Sequence, residues 1–176
     1  MINVFMILLI GGGTHTGKTL AAQRVLEKYS YPYLSIDHLK MGLIRSGMCP
    51  LSPESPDEEL TPFLWGMIRE IVKTAIENGQ NLVVEGCYIP FDWKKDFTQA
   101  CREQIRYVCL IFSENYIQGH YHDILNYENA IEKRVENAAL TREELLRENR
   151  DNLEKCRSYG CDYLLIDEPY NVEIVL

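Results

Sequence analysis

An octapeptide near the start of the chain limits its possible folds more than any other feature. Gly12-Gly13-Thr14-His15-Thr16-Gly17-Lys18-Thr19 matches G-x-x-x-x-G-K-[ST] at every fixed position. It follows the apolar run Val4–Ile10 and opens a segment, Lys18–Tyr29, with Ala22, Val25, Leu26 and Tyr29 at helical spacing. A buried strand, a glycine turn and a helix N-terminus in that order make an anion site from main-chain N–H groups. Glycines are needed because Cβ atoms would block the approach of phosphate oxygens. Chance would give the octapeptide in about one random chain of this length in two hundred, and the flanking strand and helix make coincidence rarer still. The spacing therefore predicts that Gly12, Gly13, Thr14, His15, Thr16, Gly17, Lys18 and Thr19 wrap a triphosphate. The Lys18 ammonium would reach the β- and γ-phosphates and the Thr19 hydroxyl would ligate Mg²⁺, so ATP and Mg²⁺ are the expected ligands.

The rest of the composition sets bounds. The chain has 176 residues, 46% of them hydrophobic and 25% charged, which suits one soluble domain able to bury a core without disulfides or structural metal. A net charge of −8 argues against a general nucleic-acid binder, though a phosphate pocket needs only local donors. The opening apolar run stops at Gly11, too soon to span a bilayer, and lacks the basic flank of a secretory signal. The six cysteines form no C-x-x-C pair. A reduced, cytoplasmic protein with no membrane partner is expected, as a monomer or homodimer. His120 and His122, close to Asp123, suggest a metal site, but two histidines at i, i+2 do not share a helical face, and no metal site is expected from them.

Strand and helix signals alternate along the chain. Pro32–Ile36 reads as a second strand, closed by Asp37 and a helix to about Ser46. Cys49–Leu60, with three prolines, reads as a surface loop. Thr61-Pro62 predicts the start of a helix, and Gly79 its end. Asn81–Glu85 and Ile105–Phe112 read as strands three and four, with a helix from Asp92 to about Glu103 between them, and Ser113–Tyr127 is expected to be partly helical. Thr141 and Glu144 form a capping-box pattern for a helix running to about Gly160. Cys161–Asp167 reads as strand five and Val172–Leu176 as a short sixth. Such alternation predicts a mostly parallel sheet with helices on both faces and ligands beyond the strands' carboxyl ends.

The residues at those ends are the remaining candidates. Asp37 would face the γ-phosphate and hold an acceptor or take its proton; a helix cap is the bland alternative. Glu85, directly after Leu82-Val83-Val84, is expected to hold Mg²⁺ through water or to bind substrate, and Gly86 to give a ligand clearance or make the turn. Lys40 and Arg45, on the helix after Asp37, are candidates to meet an anionic acceptor. Arg134 and Arg142, with Arg147 and Arg150 beyond them, are candidates to neutralise charge on the transferring phosphoryl group, or are simply surface arginines.

With these residues placed, the chain resembles the small P-loop kinases: the nucleoside monophosphate kinase group, adenylate-kinase-like, with zeta-toxin-like and 2-phosphoglycerate-kinase-like relatives. The octapeptide, the Asp after strand two, the Glu-Gly turn after strand three and the late arginines come in the same order. Val83-Val84-Glu85-Gly86-Cys87-Tyr88-Ile89-Pro90 is similar to the V-[ED]-G-x-x-x-P stretch of 2-phosphoglycerate-kinase-like sequences. The resemblance implies a three-layer α/β/α P-loop NTPase fold with a five-stranded parallel sheet in order 2-3-1-4-5. It also implies an acceptor-binding region at about residues 37–80, a lid at about 127–142, and ATP-dependent phosphoryl transfer to a small-molecule or nucleotide acceptor. The chain departs from adenylate kinases at Glu85-Gly86-Cys87-Tyr88, where their D-G-F-P-R supplies an arginine, so AMP is not the expected acceptor. Two alternatives stay open: a nucleotide-binding or -hydrolysing regulator, and a zeta-like toxin acting on a sugar nucleotide. A guanine-reading N-K-x-D is absent at Ile111-Phe112-Ser113-Glu114-Asn115, which favours ATP over GTP.

Overall fold

A computed structural model of the chain describes residues 7–126 and 140–176. Its apolar runs lie side by side as one sheet of five strands: β1 (Ile7–Gly12), β2 (Tyr33–Ser35), β3 (Leu82–Glu85), β4 (Ile105–Phe112) and β5 (Tyr163–Ile166). The order is β2-β3-β1-β4-β5, and every adjacent pair is parallel, as expected. Around the sheet stand α1 (Lys18–Tyr29), α2 (Ile36–Arg45), α3 (Asp57–Glu77), the single turn α4 (Gln99–Arg102), α5 (Glu114–Asn126) and α6 (Arg142–Tyr159).

The alternation of side chains along β1 divides the core in two. Ile7 and Leu9 join a cluster with Leu64, Ile68 and Val72 of α3. Leu8 and Ile10 point the other way, to Ala21, Ala22 and Val25 of α1 and Ile117 and Ile124 of α5. A strand covered on both faces must be apolar at every position, which is why this one reads as an unbroken run. Its predicted first residues, Val4–Met6, fall outside the described residues. In the ladder Ser35 lies opposite Glu85, and Glu85 opposite Ile10. This level register brings the carboxyl ends of β1, β2 and β3 to one edge.

Three expectations need correction. The helix expected from Thr61 begins a turn earlier, at Asp57, and contains Pro62. Starting there buries Leu60 and sets Asp57, Glu58 and Glu59 against the positive end of the helix. Pro62 loses one helical hydrogen bond, but only in the second turn. The segment from Asp92 to Glu103 is not one helix: a 3₁₀ turn, Trp93–Asp96, and α4 are separated at Phe97. Phe97 takes an extended backbone (φ −127°, ψ 146°), and its ring sits edge-on to Trp65 and to Trp93, 6.1 Å from each. Thr98 then caps α4 by accepting from Cys101 N. Residues 171–176 form no sixth strand, although Val172 and Ile174 are buried. Side chains rather than a ladder hold that main chain: Arg106 donates to Val175 O and Leu176 N donates to the Tyr29 hydroxyl.

The other helices follow the sequence closely. Thr141 and Glu144 make the full capping box of α6. Behind it, Asn149 is 2% exposed. It accepts from Phe112 N at 2.8 Å and donates to Leu145 O at 2.8 Å, tying α6 to the end of β4. Asn149→Leu leaves the Phe112 N–H buried and unmet, and a loss of about 1–3 kcal/mol is expected in urea denaturation. No helix of the described residues is long and apolar enough to cross a membrane.

Candidate active site

The glycine octapeptide leaves β1 and enters α1 as a tight turn. Gly12 has φ +138°, and a Cβ there would stand 2.5 Å from Leu110 O, a main-chain atom that cannot move aside. Gly17, the residue capping α1, is left-handed at φ +87°. His15 is also left-handed, at φ 61°, a conformation that histidine tolerates better than a β-branched residue would. Inside the turn the Thr16 hydroxyl donates to Gly13 O at 2.8 Å and the Lys18 ammonium to the same oxygen at 2.7 Å.

Three elements meet at this turn. Glu85, 2% exposed at the end of β3, accepts from the Thr19 hydroxyl at 3.3 Å. Asp37 is the second residue of α2; Ser35 holds the position before that helix, so Asp37 is neither strand end nor cap. The Asp37 carboxylate pairs with Lys40 at 3.2 Å, and Lys40 donates to the Tyr88 hydroxyl at 2.9 Å. Burial works to lower the Lys40 pKa, but Tyr88 and Asp37 together hold it above the ordinary lysine value. Asp57, at the start of α3, is raised by burial and eased by Lys40, with Glu58 and Asp37 adding to the rise. Lys18 obeys the same balance. Burial lowers its pKa, while Cys87, Glu85, Asp37 and Glu148 around it more than offset this, so the pKa is raised. The ammonium therefore stays charged in a nearly closed, acidic setting.

The basic candidates are disposed differently. Arg45 is exposed in the last turn of α2, about 12 Å along the axis from Asp37 at 1.5 Å per residue. Arg142 opens α6 with its guanidinium 5.0 Å from the centre of the Tyr121 ring. Arg150 pairs with Glu114 at 2.7 Å on the surface. Arg134, and residues 127–139 of the expected lid, lie outside the described residues. Gly86 serves packing: a Cβ there would stand 2.8 Å from Cβ of Ile36, at the start of α2. His120 lies between Asp123, 3.2 Å away, and Glu168.

Two residues at the turn went unseen in the sequence. The Tyr170 hydroxyl donates to Thr16 O at 3.3 Å, and burial, with Tyr116 beside it, pushes its pKa up to about 12. Glu148, on α6, accepts from Thr14 N. Glu148 left a faint signal, since it and Asn152 flank the buried positions Leu145, Asn149 and Cys156. Tyr170 left none, because the segment carrying it has no periodicity.

No family model matches the chain, and no curated protein matches it. Solved structures do. A gluconokinase from Sinorhizobium meliloti 1021 superposes with a TM-score of 0.53 at 14% identity, over 95% of this chain and 85% of that one. Shikimate kinase from Bacteroides thetaiotaomicron gives 0.53 at 15% identity, over 92% and 86%. Shikimate kinase from Acinetobacter baumannii gives 0.51 at 15%, over 96% and 86%. At such identity the likeness is one of fold. The chain has the fold of the small P-loop kinases, with the glycine loop where the sheet order and register require it.

Proposed function

We propose that the chain is an ATP-dependent phosphotransferase that moves the γ-phosphate to a hydroxyl of a small-molecule or nucleotide acceptor. The observation that carries this reading is the convergence of Lys18, Thr19, Asp37 and Glu85 at one edge of the sheet, with Glu85 bonded to Thr19 and the fields of Asp37 and Glu85 both acting on Lys18. A glycine loop alone would suit any nucleotide binder. A carboxylate on the first turn of α2, held by Lys40, is what an acceptor hydroxyl needs.

Main-chain N–H groups of residues 12–19 and the Lys18 ammonium bind the phosphates and offset the charge that gathers on the transferring group. The Thr19 hydroxyl and Glu85 carboxylate form a hard oxygen pair suited to Mg²⁺, Glu85 acting through water. Bound there, the ion would offset part of the negative charge of the phosphates. Asp37 orients the acceptor hydroxyl and accepts its proton as the acceptor oxygen bonds to γ-phosphorus and the bond to ADP breaks. The acceptor region is the stretch of about residues 37–80, carried by α2 and α3, and Arg134 and Arg142 are the candidates to complete the phosphoryl site from the lid.

A screen with γ-labelled ATP and Mg²⁺ against nucleotides, sugar nucleotides, phosphoglycerates and small alcohols tests this. Label should move to one acceptor class. Release of inorganic phosphate at one rate whatever the acceptor would instead support a hydrolysing regulator.

A further inference from the structure

The last helix lays a carboxylate on the glycine loop. Thr14 N donates to both Glu148 oxygens, each at 3.1 Å, and the Thr14 hydroxyl to Oε1 at 3.3 Å. Lys18 is turned inward at the same time, donating to Gly13 O. The loop's ammonium and one of its main-chain donors are thus engaged by groups of the chain itself.

This placement is enforced rather than incidental. The neighbouring Asn149 fixes α6 against β4, and Leu145 and Cys156 on the same helix are fully buried. A Cβ at position 13 would stand 3.0 Å from the Glu148 carboxyl carbon, so the carboxylate lies directly over the glycine. Glu148 also acts on Lys18, alongside Glu85 and Asp37. A phosphate entering the loop meets a fixed negative charge and must displace it from Thr14 or share the site with it.

We propose that Glu148 is an internal competitor for the anions this loop takes. It weakens every anion that enters, most of all those whose charge no metal ion reduces, and so biases the site toward the magnesium complex of a triphosphate. The inference rests on reading the loop as a nucleotide site.

Calorimetric titration of the full chain, Glu148→Gln and Glu148→Ala, with pyrophosphate, metal-free ATP and Mg²⁺–ATP, tests it. Both variants should bind pyrophosphate and metal-free ATP about tenfold more tightly than the unaltered chain, with a smaller gain for Mg²⁺–ATP. Glu148→Ala, which removes the carboxylate outright, serves if Glu148→Gln does not fold. Equal or weaker anion binding in the variants overturns the inference and leaves the nucleotide reading intact. Absence of binding in all three proteins, Mg²⁺–ATP included, overturns both.

Discussion

Replacing Lys18 with alanine should abolish phosphoryl transfer, lowering kcat/KM by about 10³-fold or more. The size of the effect follows from the surroundings. Glu85, Asp37 and Glu148 all act on Lys18, and it is 6% exposed. Without the ammonium, a triphosphate would enter a setting dominated by carboxylates, so both ground-state binding and transition-state stabilisation are lost. The fold should survive, because the side chain's one hydrogen bond inside the loop, to Gly13 O, is also made by Thr16. Steady-state kinetics with a thermal melt as control decides the matter. Near-normal turnover in a folded Lys18→Ala protein would remove the loop from the chemistry.

Asp37→Asn should separate binding from catalysis. The amide keeps the shape of the carboxylate and can still accept from Lys40, but it is a poor proton acceptor and carries no charge. Turnover should fall by about 10² or more while Mg²⁺–ATP affinity changes little. The split between kcat and nucleotide affinity is the diagnostic part, since a structural role would move both or neither. Turnover equal to the unaltered protein, measured with the true acceptor, would reduce Asp37 to a charge that suits the positive end of α2.

The sequence was most informative where structure is local. The octapeptide is contiguous, so its glycines, Lys18 and Thr19 could be read directly. The capping box of α6 and the run in β1 were legible for the same reason: each signal lies within a few residues of what it specifies. The strand order came through the family resemblance, not from periodicity. Local signals failed where distant packing intervened. Thr61-Pro62 resembled a helix start, yet burial of Leu60 carried α3 back to Asp57. The ring contacts of Phe97 with two tryptophans broke a segment that reads as one helix. In the site, Asp37 and Glu85 were visible as acids following apolar strands. Glu148 and Tyr170 were not, since they meet the loop from 134 and 154 residues away, and only the completed sheet brings them there.

Main-chain amide resonances recorded while Mg²⁺–ATP is added to the full chain would probe most directly the claim that residues 12–19 grip a triphosphate. The amides of Gly13, Thr14, Thr16, Gly17, Lys18 and Thr19 should shift together and saturate with one dissociation constant, the Thr14 signal reporting release from Glu148. Signals from the loop that stay fixed at saturating nucleotide, or shifts confined to residues remote from it, would contradict the account.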